Sequence, residues 1–384
     1  MNEYRKSQEV ESEHIRQSTW DKVLKFIAST DIPSPYLLID KEILSYKVSL
    51  IGKKIKNAKV FYAVKANPDT KVVRFLDGMG MDFEIASEGE LGILSSLGIK
   101  GDRIISSNPV KSLRFLKEAV SYGVDRFAFD SEAEVDKLSV HAPGCRVYIR
   151  LSVPNEGSEW PLSKKYGVEI EDAFRLLKYS GHKGLVPVGI TFHVGSQCLN
   201  IYSWDTALDK SKQLWEAARD SGIELRVLNI GGGYPIRYTK DVIGIEDIEE
   251  KINSSIGNRF PEDIEVHIEP GRSVVGDSGI FVSNVIGKAE RGDENWLYLD
   301  VGVFNGLMES LGGIKYSYVV DNRGEMKKWT VAGPSCDSFD VMEREVELPE
   351  PLVGDTVLIL SSGAYTVSYA SEFNGFSVPK TILI

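Results

Sequence analysis

Lys59-Val60-Phe61-Tyr62-Ala63-Val64-Lys65-Ala66-Asn67-Pro68 reads as a β-branched and aromatic strand that Asn67-Pro68 stops. It is the first of eight such runs. The others are MDFEIAS (81–87), DRIISS (102–107), RFAFDS (126–131), RVYIRLS (146–152), GITFHVG (189–195), RVLNIGG (226–232) and IEVHIEP (264–270). Between them lie segments such as KSLRFLKEAVSYG and DTALDKSKQLWEAARDSG, most with apolar residues at three- and four-residue spacing. Several end in glycine, a helix stop signal. Eight strand–helix alternations point to a (β/α)8 barrel, with a doubly wound open sheet as the competitor. The distribution of reactive residues favours the barrel. Lys65, Glu84, Arg150, His193, Gly231 to Gly233 and Glu269 all fall at or just after the C-terminal ends of strands, where barrels place their active sites.

After about residue 280 the rhythm changes. NWLYLDVG, KYSYVVD, KKWTVAG and DTVLILSSGAYTV are β-rich with turn residues between them. The expected organisation is a barrel over 35–280 and a mainly antiparallel β domain formed by 1–34 and 281–384. A chain of 384 residues has room for both.

Net charge is −11, from 45 Lys and Arg against 56 Asp and Glu, which argues against nucleic acid as the main partner. Cys145, Cys198 and Cys336 are too few and too scattered for a disulfide framework or a thiolate metal site. Reduced thiols and a cytoplasmic setting are the expectation, with no metal. The opening MNEYRKSQEVESEHIRQ has no apolar core, and no stretch approaches the length of a membrane span.

Lys65, at the end of a strand, reads equally as an ammonium reaching solvent and as an amine placed to form a Schiff base with a carbonyl cofactor. The triple glycine 231–233 lets backbone N–H groups approach an anion, although a flexible turn is its commoner meaning. It follows the seventh strand, where barrels frequently keep phosphate sites. Glu269 and Arg272, on a turn fixed by Pro270-Gly271, form either a structural ion pair or a divided site. In the second case Arg272 faces phosphate and Glu269 a ring nitrogen. His193 is either a satisfied core histidine or a flat ring stacked on a cofactor. Cys336-Asp337, in the turn GPSCDSFD, is by itself a thiol beside a capping residue.

Taken in order, YAVKAN, HVGSQ, GGGYP, EPGRS, GPSCDSFD, SGAYT and FNGF give the chain its resemblance to a family. It resembles the barrel-fold (fold type III) pyridoxal-phosphate-dependent decarboxylases of basic amino acids, most closely the ornithine decarboxylases. The resemblance runs from PYLLID to FNGF. It implies that Lys65 holds pyridoxal 5'-phosphate covalently, that His193 stacks on the ring and that Glu269 pairs with the ring nitrogen. It places the phosphate on Ser196, Gly232, Gly233, Gly271, Arg272 and Tyr365, and puts Arg150 near the ring. Glu84 stands where ornithine enzymes usually carry aspartate. The resemblance also implies a homodimer with shared active sites. Cys336 would then return a proton to the product, and Asp337 would bind the distal ammonium of the partner's substrate.

The expected reaction is decarboxylation of a basic L-amino acid, ornithine to putrescine in polyamine synthesis. Lysine is the next expectation, then diaminopimelate or a related acid of specialised metabolism. Aspartate after the cysteine, where diaminopimelate enzymes typically have glutamate, suits a terminal ammonium. The segment GVFNGLMES (302–310) replaces a slightly longer family element that carries a Tyr-Asp pair, leaving Glu309 as the nearest acidic candidate for that amine. Two other classes are open: a non-catalytic decarboxylase-like regulator and an alanine-racemase-like isomerase.

Overall fold

The computed structural model describes residues 16–160, 165–320 and 324–384. The chain divides into two units, one of 47–235 and 242–274, the other of 1–46, 236–241 and 275–384.

The first unit is the barrel. Its eight strands are Ala58–Ala63, Asp82–Glu84, Ile104–Ile105, Arg126–Phe129, Arg146–Arg150, Val186–Thr191, Val227–Asn229 and Glu265–Ile268. All pair in parallel, each with its sequence neighbour, and the eighth strand returns to the first. The seam between third and fourth strands is closed by the parallel bridge Ser106↔Phe127, with Ala128 N donating to Ser106 O at 2.9 Å. The open sheet is thereby excluded. Strands buried on both faces need near-continuous apolar sequence, and Phe61, Tyr62, Phe127, Ala128, Phe129, Val147, Tyr148 and Ile149 supply it. Capping fixes where several helices start. Ser87, Ser112 and Ser131 each accept from the backbone N–H three residues on.

The second unit is built on an eight-stranded mixed sheet in which five of the pairings are antiparallel and two parallel. The strand Tyr36–Ile39 belongs here, between Gly279–Val282 and Lys380–Leu383. The boundary therefore falls after this strand rather than at residue 35. Of the N-terminal arm expected to complete the domain, residues 1–15 lie outside the described residues. The remainder holds the helix Gln17–Ser29 rather than a strand. Trp20 and Val23 on that helix pack with Tyr36, Leu38, Ile280, Val282 and Leu358. Removing the Trp20 side chain from such a core would cost about 3–5 kcal/mol. Among the described residues no helix is long and apolar enough to cross a membrane.

Candidate active site

The first barrel strand ends at Ala63, whose N–H donates to Pro270 O at 3.1 Å. The chain then tightens into a single 3-10 turn, Val64–Ala66. Val64 and Ala66 are fully buried and the turn presents Lys65 at the C-terminal end of the barrel. Lys65 Nζ lies 2.7 Å from Glu84 Oε2. The lysine side chain is 48% exposed and the glutamate side chain 1%. A carboxylate so deeply buried needs partners, and Glu84 Oε1 also accepts from Ser107 N at 3.4 Å.

Glu269, after the eighth strand, is buried as well. Its Oε1 accepts from the Ser107 hydroxyl, and from Asn229 Nδ2 at 2.5 Å. Burial, then the negative charge of Glu84, push the Glu269 carboxyl above its ordinary value, while Lys65, Ser107 and Asn229 pull it down. Burial and the Glu84 charge likewise raise Glu90, on the helix Glu88–Ser96. Glu90 Oε2 accepts from Ala86 N at 2.6 Å.

His193 follows the sixth strand. Its Nδ1 accepts from Gly195 N at 3.0 Å, which puts the proton of a neutral ring on Nε2. Burial, then the Arg150 and Lys65 cations, hold its pKa well below the usual imidazole range. The ring is neutral at physiological pH and offers a flat face. Burial also pulls the Arg150 guanidinium down, opposed by Glu269, Asp130 and Glu84.

Gly231 and Gly233 have φ of +65° and +100°. Glycine is required at both on backbone grounds, since this region disfavours side chains. Space demands it too. A Cβ at Gly232 would strike the Glu269 carbonyl, and one at Gly233 the Gly195 carbonyl. Arg272 donates to Ser196 Oγ through Nε at 3.2 Å and Nη2 at 3.0 Å. Among the described residues the buried Ser273 hydroxyl has no hydrogen-bond partner. An anion cradle of bare backbone, a buried guanidinium and an unsatisfied hydroxyl suits a phosphate. The buried carboxylate of Glu269 and the neutral ring of His193 suit a protonated heteroaromatic ring. These residues fit pyridoxal phosphate.

The barrel thus brings together Lys65, Glu84, Arg150, His193, Ser196, Gly232, Gly233, Glu269, Gly271 and Arg272. Tyr365, Cys336, Asp337 and Glu309 belong to the second unit. Tyr365 has φ of +54°, uncommon for a bulky residue. Cys336 is exposed, with its N–H and Sγ both directed at Asn374 Oδ1, at 3.2 and 3.3 Å. The turn that carries it is held by Asp340, whose carboxylate accepts from Ser335 N at 2.9 Å and Val303 N at 2.7 Å. Asp337 Oδ1 caps Phe339 N at 2.8 Å. Glu309, the acidic candidate of the 302–310 segment, is only 2% exposed in the 3-10 turn Met308–Gly312. As placed, it presents almost no carboxylate surface to a substrate. Ser107, Asn229 and Glu90 were not anticipated as site residues.

Residues 41–276 match the family model described as pyridoxal-dependent decarboxylase, pyridoxal binding domain. The chain is 38% identical over 369 residues to a lysine/ornithine decarboxylase of Selenomonas ruminantium, covering 94% of this chain and 92% of that protein. It is 31% identical over 387 residues to antizyme inhibitor 2 of Xenopus laevis, covering 96% and 84%. Among solved structures, the lysine/ornithine decarboxylase of Vibrio vulnificus complexed with cadaverine superposes with a TM-score of 0.88. There the identity is 29%, over 96% of this chain and 99% of that one.

Proposed function

Because this chain belongs to the pyridoxal-dependent decarboxylases, we propose that it decarboxylates basic L-amino acids, with ornithine as the preferred substrate and putrescine as the product. Lysine is the second substrate in this reading. The observation that carries it is the pairing of the half-exposed Lys65 amine with buried Glu84, beside a buried Glu269 and an anion cradle. Bound pyridoxal phosphate supplies the electron sink into which the electrons of the Cα–carboxylate bond pass.

The chain's own residues do the rest. Lys65 is the amine that would hold the cofactor covalently, half exposed so that the amino group of a substrate can reach it. Glu269 accepts a hydrogen bond from the protonated ring nitrogen, which keeps that nitrogen positive. Neutral His193 covers one ring face without adding a second cation. Gly232, Gly233, Gly271, Arg272 and Ser196 would fix the phosphate, with Arg150 near the ring. Cys336 delivers a proton to Cα after carbon dioxide leaves, and Asp337 binds the distal ammonium. Glu309 is the second acidic candidate for that ammonium. Cys336 and Asp337 serve the barrel site of a second copy, so the working unit is a homodimer with two shared sites.

The test is carbon dioxide release from ornithine, lysine, arginine and diaminopimelate. Fastest turnover of ornithine supports the assignment, and faster turnover of lysine reverses the order. If the cofactor binds and none of the four is turned over, the reading as a decarboxylase of basic amino acids is wrong. A regulator of the kind named by the antizyme inhibitor relative would then remain.

A further inference from the structure

Asn229 closes the seventh strand and is fully buried between two parts of the site. Its Oδ1 accepts from Gly231 N at 2.9 Å. A backbone N–H can donate only to the oxygen of the amide, so the orientation of the side chain is fixed and Nδ2 must face the other way. There it donates to Glu269 Oε1 at 2.5 Å and contacts Ser107 Oγ at 3.2 Å. Ser107 donates to the same carboxylate oxygen. The eighth strand is tied to the glycine loop a second time, through Glu269 N and Gly231 O at 2.8 Å.

We propose that Asn229 is a positioning residue that ties the ring-nitrogen carboxylate to the phosphate loop, so that one side chain sets both ends of the cofactor site. The proposal deepens the functional reading and rests on its assignment of Glu269 to the ring nitrogen. An amide supplies both contacts, an acceptor for Gly231 N and a donor to Glu269 Oε1. Aspartate would keep the acceptor for Gly231 but would aim a second carboxylate at Glu269, and alanine would keep neither contact. Donors to the ionised form lower the pKa of Glu269, so removing one makes it harder to ionise. The other charged or titratable groups facing Glu269 are Glu84, Lys65, Arg150 and Tyr148, and none of the changes below touches them.

The experiment titrates cofactor-stripped protein with pyridoxal phosphate across pH, reading the affinity and the absorbance band of the bound cofactor. Four variants are compared with the unaltered chain: Asn229→Asp, Asn229→Ala, Ser107→Ala and Glu269→Gln. Ionised Glu269 is the form that binds a protonated ring, so affinity has an acid limb. Ser107→Ala should move that limb to higher pH and leave the affinity at alkaline pH unchanged. Asn229→Ala should move the limb by about one unit, a tenfold loss on the acid side, and also lower the alkaline affinity through the freed Gly231 N–H. Asn229→Asp should move the limb further while keeping the alkaline affinity. Should the Asn229 variants fail to fold, Ser107→Ala still tests the shared carboxylate contact.

If Glu269→Gln perturbs binding while the Asn229 and Ser107 variants retain the original pH profile, the positioning role is overturned and the assignment of Glu269 survives. If Glu269→Gln changes neither affinity nor absorbance, the assignment fails and the proposal falls with it.

Discussion

Lys65 Nζ and Glu84 Oε2 stand 2.7 Å apart, yet one side chain is half exposed and the other almost entirely enclosed. The barrel has sunk the anion and left the amine accessible, the arrangement needed when the amine is the reacting partner. The buried Glu84 charge also presses on Glu269 and Glu90, raising both.

Glu84→Gln keeps the shape and removes that charge. Glu269 should then ionise more readily, and the acid limb of cofactor affinity should move to lower pH, opposite in sign to Ser107→Ala. A shift of about one unit is expected. Titration of cofactor binding between pH 4 and 8, roughly the span over which carboxylates and imidazoles respond, reads it directly. A limb that stays in place would remove Glu84 from the electrostatics of the site.

Cys336→Ala should still release carbon dioxide but divert product toward misprotonation and transamination, measured as the ratio of amine to carbon dioxide. An unchanged ratio takes the thiol out of the proton-donor role. Mixing Lys65→Ala with Cys336→Ala chains should restore part of the activity, because a hybrid dimer keeps one intact site. Without any restoration, sites built across an interface are not tenable.

The turn of Cys336 depends on Asp340, which serves Ser335 N and Val303 N together. Asp340→Ala strands the buried Val303 N–H, at about 1–3 kcal/mol, and frees the part-buried Ser335 N–H at a smaller cost. Denaturant unfolding should show the loss, and turnover should fall further than the stability change alone accounts for. Asp340→Asn, retaining one acceptor, should be intermediate.

His193 and His267 both hold pKa values below the ordinary imidazole range, chiefly through burial. The unfolded chain takes up protons on these rings below about pH 6.5 while the fold does not. Stability is therefore present above that value and declines as pH falls through it. In cofactor-free protein, His193→Gln should flatten the decline between about pH 6.5 and 5. A slope equal to that of the unaltered chain would mean His193 protonates without cost.

All eight barrel strands were legible, because a strand buried on both faces must be written in apolar residues. Their ends were not. KVFYAVK, GITFHVG and RVLNIGG continue past the last paired residue, since the same residue types also fill the tight turns that carry Lys65, His193 and the glycines. The short pair Ser158–Trp160 with Ser196–Cys198 left no periodic trace in three residues a side. The helix Gln17–Ser29 went unread, although Trp20, Val23, Phe26 and Ile27 lie at helical spacing. Within the site, the residues assigned to the cofactor fall in recognisable motifs. Their supports do not, because Ser107 lies 162 residues from Glu269 and Asn229 lies 40 from it. A lone amide ending an apolar strand before three glycines was the one available sign of Asn229.

The strand Tyr36–Ile39 has Gly279–Val282 on one side and Lys380–Leu383 on the other, and Ile384 N reaches back to Ile39 O at 2.9 Å. During synthesis the barrel segments are all outside the ribosome once residue 274 has emerged, whereas this strand must wait for residues 380–383 to gain its second neighbour. The order of emergence separates the two units in time: a barrel free to fold early, and a sheet whose assembly waits for a strand made well after the barrel segments.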